Sequence, residues 1–107
     1  MDEPGHAQLH ALHGLALAYL GRRAEAADAA ERGVALMPVA RDAIVGTYVE
    51  YLRARTYLLV SERERALDAL ERVLAVPFYV SGAWLRIDPS FAPLRGDPRF
   101  ERLTAGR

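Results

Sequence analysis

The chain has no cysteine, which excludes disulfides, thiolate nucleophiles and cysteine-based zinc sites together. It also has no lysine and no asparagine. All fourteen basic residues are arginine, and they balance fourteen acidic ones to a formal net charge of zero. With no net charge and no basic run, electrostatic capture of nucleic acid or of an anionic membrane has no basis in the sequence. No apolar stretch approaches the ~20 residues needed to cross a bilayer. The opening Met1-Asp2-Glu3 is acidic and lacks the apolar core of a secretory signal. No glycine-rich phosphate loop of the required spacing occurs. The expected location is a reducing cytoplasm, and no cofactor is implied.

What is present suits one globular domain: 107 residues, 51% of them apolar and 26% charged. From Ala7 to Leu20 the residues Leu9, Leu12, Leu15, Ala16, Tyr19 and Leu20 recur at three- and four-residue spacing, which predicts a helix with one broad buried stripe. Gly21 ends it. A second helix is expected over Ala24–Met37, rich in alanine and closed by Pro38. A third should run from Arg41 to Val60, with Asp42 near its start. Ser61-Glu62-Arg63-Glu64 reads as a capping box that opens a fourth helix, which Pro77 stops. Short loops between such helices imply antiparallel hairpins, and no strand alternation competes with them. The fold class is all-α.

Sliding the sequence over itself by forty residues lays the first hairpin on the second. Gly14 meets Ala54, Leu17 meets Tyr57, Leu20 meets Val60, Ala26 meets Ala66, and Glu31-Arg32 meets Glu71-Arg72. Small residues coincide where helices must approach closely. The run Gly14-Leu15-Ala16-Leu17-Ala18-Tyr19-Leu20-Gly21, followed by Ala26, Glu31-Arg32-Gly33 and Pro38, resembles the tetratricopeptide repeat, a helical hairpin of 34 residues. On this register residues 1–6 are an N-terminal extension and 7–40 a first unit. Residues 41–80 form a degenerate second unit carried by Ala54, Tyr57, Ala66, Leu70 and Pro77. His10 and His13 stand where the family has Trp and Leu, and Leu17 replaces its aromatic. Six extra residues, Arg41 to Gly46, predict a third helix lengthened by more than a turn.

The remainder, 81–107, is a C-terminal tail, and the stretch Val76 to Leu103, with Pro77-Phe78 and Ser81, carries a second resemblance. Trp84-Leu85-Arg86-Ile87-Asp88-Pro89, Phe91, Pro93-Leu94-Arg95 and Asp97-Pro98-Arg99-Phe100 are similar to the tail of bacterial proteins that place such repeats after a signalling module. That module is a Ser/Thr kinase, a nucleotide cyclase or a transcriptional-activator domain, so the resemblance implies the C-terminal segment of a larger regulatory protein. Physically the tail is expected to cap the repeats, with Trp84, Leu85, Phe91, Leu94, Phe100 and Leu103 covering the end of helix four. Asp97-Pro98 predicts a short helix there, and the chain after Thr104 is expected to fray.

Several residues invite a chemical reading. His6, His10 and His13 fall at i, i+4 and i+7 on one helical face, a spacing able to share a metal. No Glu follows them as a general base, and His10 and His13 occupy packing positions, so no metal site is assigned. Glu62, Glu64, Asp68 and Glu71 alternate with Arg63, Arg65 and Arg72, the pattern of a solvated, salt-bridged helix rather than of paired catalytic carboxylates. Ser61 and Ser81 stand at helix starts without a nucleophile-elbow context. No catalytic constellation results.

Tyr48, Tyr51 and Arg55 share one face of helix three at i, i+3 and i+7, and Tyr and Arg dominate protein interfaces energetically. The family resemblance implies a concave face built from the first helix of each hairpin, to which Gln8, Leu15, Ala18 and Tyr19 add. It also implies a protein or peptide ligand on that face. The family's carboxylate clamp, made of Lys, Arg and Asn, has no counterpart in this sequence. The expected function is non-catalytic protein–protein interaction. The alternatives are self-association, because the apolar ends of a two-hairpin solenoid can stack on a copy of themselves, and, less favoured, a metal-binding domain built on His6, His10 and His13.

Overall fold

Pro4 opens the first helix, α1 (Pro4–Tyr19), of the computed structural model, which describes residues 4–77 and 80–105. Proline suits a first turn, where its missing N–H has no intrahelical partner. Three residues assigned to an N-terminal extension therefore belong to α1. The expected fraying after Thr104 concerns residues 105–107: Ala105 still donates its N–H to the Glu101 carbonyl at 3.1 Å, while 106–107, like 78–79 with Phe78 of the tail motif, lie outside the described residues.

Seven helical segments and no strand occur among the described residues, so the fold is all-α. They begin with α1, α2 (Arg23–Leu36), α3 (Ala43–Leu59) and α4 (Arg63–Leu74). Next come α5 (Gly82–Ile87), a 3₁₀ turn (Pro89–Leu94) and α6 (Pro98–Thr104). α1 pairs with α2 and α3 with α4, and α3 packs across both helices of the first hairpin. At 17 residues against 16, α3 exceeds α1 by one residue, not by a turn, because α1 starts early.

The two hairpins close with the same backbone turn, forty residues apart. Gly21 takes φ 82°, its N–H donates to the Ala18 carbonyl at 3.0 Å, and the Arg22 N–H donates to the Leu17 carbonyl at 3.0 Å. Ser61 takes φ 67°, its N–H donates to the Leu58 carbonyl at 3.2 Å, and the Glu62 N–H donates to the Tyr57 carbonyl at 2.8 Å. This paired 5→2 and 6→1 pattern is a left-handed helix stop. It overturns the capping box. An N-cap residue needs an extended backbone, whereas Ser61 is committed to the left-handed region that ends α3. Glu62 takes the N-cap position of α4 without a side-chain hydrogen bond. The expected caps elsewhere are present. Asp42 accepts from the Ile44 and Val45 N–H groups at 3.0 Å each, Ser81 from the Trp84 N–H at 3.0 Å, and Asp97 from the Arg99 and Phe100 N–H groups.

Small residues set the distance between the helices of each hairpin. A Cβ on Gly14 would stand 2.9 Å from the Ala26 carbonyl oxygen, so α1 and α2 meet almost backbone to backbone. The equivalent Ala54 is fully buried, among Leu67 and Leu70. This close approach decides which side of α1 points inward. Ala7, Ala11, Gly14, Leu15, Leu17 and Ala18 are buried, while Leu9, Leu12, Ala16, Tyr19 and Leu20 are exposed. The single buried stripe expected of α1 is thus wrong for all but Leu15: apart from Ala16 the small residues face the core, and most of the large ones face out.

The tail closes the other end. Leu85, Phe91, Leu94 and Phe100 are fully buried in one cluster with Ala54, Leu67, Leu70 and Leu74, and Leu103 packs on its edge. Each such side chain contributes roughly 1.5–3 kcal/mol on burial. Trp84 does not take part as expected; it is 53% exposed, because α5 turns Leu85 inward instead. Polar contacts repeat the logic. Arg53 of α3 binds Glu31 of α2, and Glu71 of α4, forty residues after Glu31, is bound by Arg99 of α6. The tail therefore occupies, against the second hairpin, the place that α3 occupies against the first.

Candidate functional site

Successive residues on a helix are turned by about 100°, which puts Tyr48, Tyr51 and Arg55 on one side of α3 and Glu50, Arg53 and Tyr57 on the other. The two sides have different fates.

On the first side, Tyr51 is half-buried and tied to the tail. Its hydroxyl donates to Asp88 Oδ2, and its ring meets Phe91 edge-on with centroids 5.7 Å apart and planes at 73°. The Arg55 guanidinium lies 6.0 Å from the Tyr51 ring centroid. Burial, then the bond to Asp88, pushes the Tyr51 hydroxyl up to about 12. Burial opposes the charge of Asp88, but hydrogen bonds from Tyr51 and Ser90, with Arg55 nearby, hold its carboxyl below the usual range. Asp88 also accepts from the Ser90 N–H at 2.9 Å, so one carboxylate both caps the 3₁₀ turn and anchors it to α3.

Of the other residues expected on a concave face, Leu15 is a core residue. It packs with Ala7, Ala11, Met37, Val49 and Leu52, and Tyr48 lies half-buried against the same cluster. Ala18 is buried too, Gln8 and Arg55 are half-buried, and Tyr19 is 66% exposed. Gln8 and Tyr48, Leu15 and Arg55, and Tyr19 and Leu59 are equivalent positions of the two units. Together they run along one side of α1 and α3. Leu15, Ala18 and Tyr51 are committed to packing; Gln8, Tyr19, Tyr48 and Arg55 present accessible surface.

The second side of α3 floors a polar cleft of about 420 Å³ lined by Glu31, Arg53, Tyr57, Arg65, Asp68 and Arg72. Arg53 Nη1 donates to both Glu31 oxygens at 2.8 and 2.9 Å. Its Nε and Nη2 donate to Glu50 at 3.1, 2.8 and 2.8 Å. Glu50 is 3% exposed and Arg53 8%. Burial works against the Arg53 charge, and the two carboxylates outweigh it, so its pKa is raised. Tyr57 donates to Glu31 Oε2, and burial followed by that bond pushes its hydroxyl up to about 12. Arg72 stands 3.9 Å from Glu50, and the Arg65 guanidinium 5.6 Å from the Tyr57 ring centroid. Chemically the cleft is a lock between hairpins. Its tyrosine stays protonated, and Glu31 and Glu50 are both engaged by the Arg53 guanidinium.

From the sequence, Arg65, Asp68 and Arg72 are legible only as a solvated charge pattern and Glu31 and Tyr57 only as repeat positions, while Glu50 and Arg53 are not singled out at all. The available signal was Glu50 and Arg53 at i, i+3, two of only three charged residues in the otherwise apolar α3. The acidic row of α4 is salt-bridged, but chiefly to another helix: Arg99 of α6 reaches Glu64 at 3.0 Å, Asp68 at 2.7 Å and Glu71 at 3.1 Å. Among the described residues no group of three or more His, Asp or Glu is arranged to hold a metal ion, the α1 histidines included. No helix of the described residues is long and apolar enough to cross a membrane.

Comparison of the chain with protein-family models, with curated proteins and with solved structures yields no match.

Proposed function

We propose that this chain is a non-catalytic protein-interaction module of the tetratricopeptide type. It takes a protein or peptide ligand on the side of α1 and α3 that carries Gln8, Tyr19, Tyr48 and Arg55. The observation that carries this reading is the repeated turn, with the same backbone hydrogen bonds after α1 and after α3. That turn sets equivalent positions of the two first helices side by side and leaves two tyrosines and an arginine accessible there. Tyr and Arg bury large area or fork to carboxylates at low entropic cost, which is why they dominate interface energies. The ion-paired state of the titratable groups in the cleft supports a non-catalytic role. The resemblance of the tail supports a setting beside a bacterial signalling module.

Panning a displayed peptide library against the full chain tests the reading. Retained ligands should lose roughly tenfold in affinity on Tyr19→Ala and on Arg55→Ala, and nothing on Arg102→Ala in α6. A library that yields no ligand, or ligands indifferent to both substitutions, refutes it.

A further inference from the structure

Among the described residues, α1 and the residue that follows it carry four of the exposed large hydrophobic side chains, Leu9, Leu12, Tyr19 and Leu20. Leu9 is 64% exposed, Leu12 44% and Leu20 73%, with the exposed Ala16 between them. They follow i, i+3, i+7 and i+11, a continuous stripe along the helix. Isolated exposed leucines need no explanation, whereas a contiguous stripe marks an interaction surface.

The molecule itself shows what such a stripe is for. The positions forty residues on are Val49, Leu52, Thr56 and Val60, at 0%, 1%, 0% and 4% exposure. Val49, Leu52 and Val60 are residues with which α3 packs against the helices of the first hairpin. α1 thus carries the apolar side chains of a packed helix at the positions where α3 uses them, and no described residue covers them.

We propose that a second copy of this chain docks on this face, the two α1 helices pairing about a two-fold axis; the proposal deepens the protein-interaction reading and rests on it. Two observations choose this occupant. α1 contains no Asp, Glu, Lys or Arg in its 16 residues, so two copies meet on that helix without like-charge repulsion. The opposite end of the fold is packed shut by Leu85, Phe91, Leu94 and Phe100 and leaves Trp84 and Ile87 exposed, so it offers a copy two apolar side chains rather than a matching stripe for head-to-tail stacking. Self-complementary pairing through one face closes at two, where head-to-tail contacts would run on. Sixteen residues make a helix about 24 Å long, which gives an interface at the small end, under roughly 1,200 Å². The dimer is therefore weak and concentration-dependent.

Sedimentation equilibrium of the full chain from about 10 μM to about 1 mM covers the range suited to so small an interface. The weight-average mass should climb toward twice the 11.8 kDa of one chain and stop there. Leu9→Glu/Leu12→Glu should remain monomeric throughout with an unchanged far-UV spectrum. Leu20→Arg, at the most exposed of the positions, should by itself weaken association at least tenfold. Ile87→Glu, also 70% exposed but on α5, should leave it unchanged. A wild-type chain that stays monomeric at the top concentration overturns the proposal, as does a dimer indifferent to Leu20→Arg or a mass that grows past two. The parent reading fails differently: pairing would persist while no peptide ligand depended on Tyr19 or Arg55.

Discussion

Replacing Arg53 by Met removes a guanidinium that holds two carboxylates from different helices. Glu50 is 3% exposed, and in the variant its nearest remaining cation is Arg72, 3.9 Å away. Stripping one partner from a buried pair costs about 3–5 kcal/mol. Here Arg72 offsets part of that, and the Glu31 side chain is half exposed and can turn to solvent. A loss of roughly 2–4 kcal/mol is expected, a large share of the ~5–15 kcal/mol typical of a domain. At about 4–8 °C per kcal/mol, Tm should fall by roughly 8–32 °C. Arg53→Met/Glu50→Leu removes both charges and should recover most of the loss, because apolar replacement of a whole buried pair is often neutral or better. Urea unfolding followed by far-UV circular dichroism gives both numbers, with an unchanged m-value required for the comparison. A single variant within about 0.5 kcal/mol of wild type would refute a buried pair. A double variant clearly worse than Arg53→Met would refute the claim that the deficit comes from an uncompensated charge.

The helix stops give a second test. Ser61→Gly should stabilise by about 0.5–1 kcal/mol, since φ 67° strains a residue with a Cβ. Gly21→Ala should lose about 1 kcal/mol through conformation alone, because nothing stands within 4 Å of its absent side chain. Chemical denaturation of both variants decides, and a destabilised Ser61→Gly would contradict the turn assignment. A third test concerns pH. Tyr51 and Tyr57 are raised from 10.0 to about 12 in the fold, so their contribution is present below pH 10 and lost as pH rises through 12. Tyr51→Phe should cost about 1.5–3 kcal/mol at neutral pH, the value of a hydrogen bond to a carboxylate. It should also shallow the alkaline loss of stability, and a loss as steep as wild type between pH 10 and 12 would show that the hydroxyl is not bound to Asp88.

The hairpin ends were legible because their signals are local. Asp42, Ser81 and Asp97 cap from the positions that residue chemistry assigns them, and Gly21 and the prolines stop helices by backbone constraint. The forty-residue equivalence was legible as well, since Gly14 and Ala54 are small for the same steric reason. Ser61 misled because a serine before an apolar run signals a helix start, while the equivalence with Gly21 pointed to a helix stop. The candidate binding face was legible only as a set of positions. Tyr51 turned out to be a fastening for the tail, and its partner Asp88 lies 37 residues away, beyond the reach of any helical period.

The all-α class, the number of long helices, their approximate limits and the close crossing at Gly14 all follow from the amino-acid sequence. These depend on capping, backbone freedom and side-chain size within a few residues. Tertiary structure alone decided which arc of each helix faces inward. Periodicity fixes the angles between residues on one helix but not the direction of the neighbour, so Leu9, Leu12 and Leu20 point outward on α1 while Val49, Leu52 and Val60 are buried on α3. It also decided the partners of charge, joining Arg53 to Glu31 and Arg99 to the α4 carboxylates, because ion pairs form between whatever side chains packing brings together.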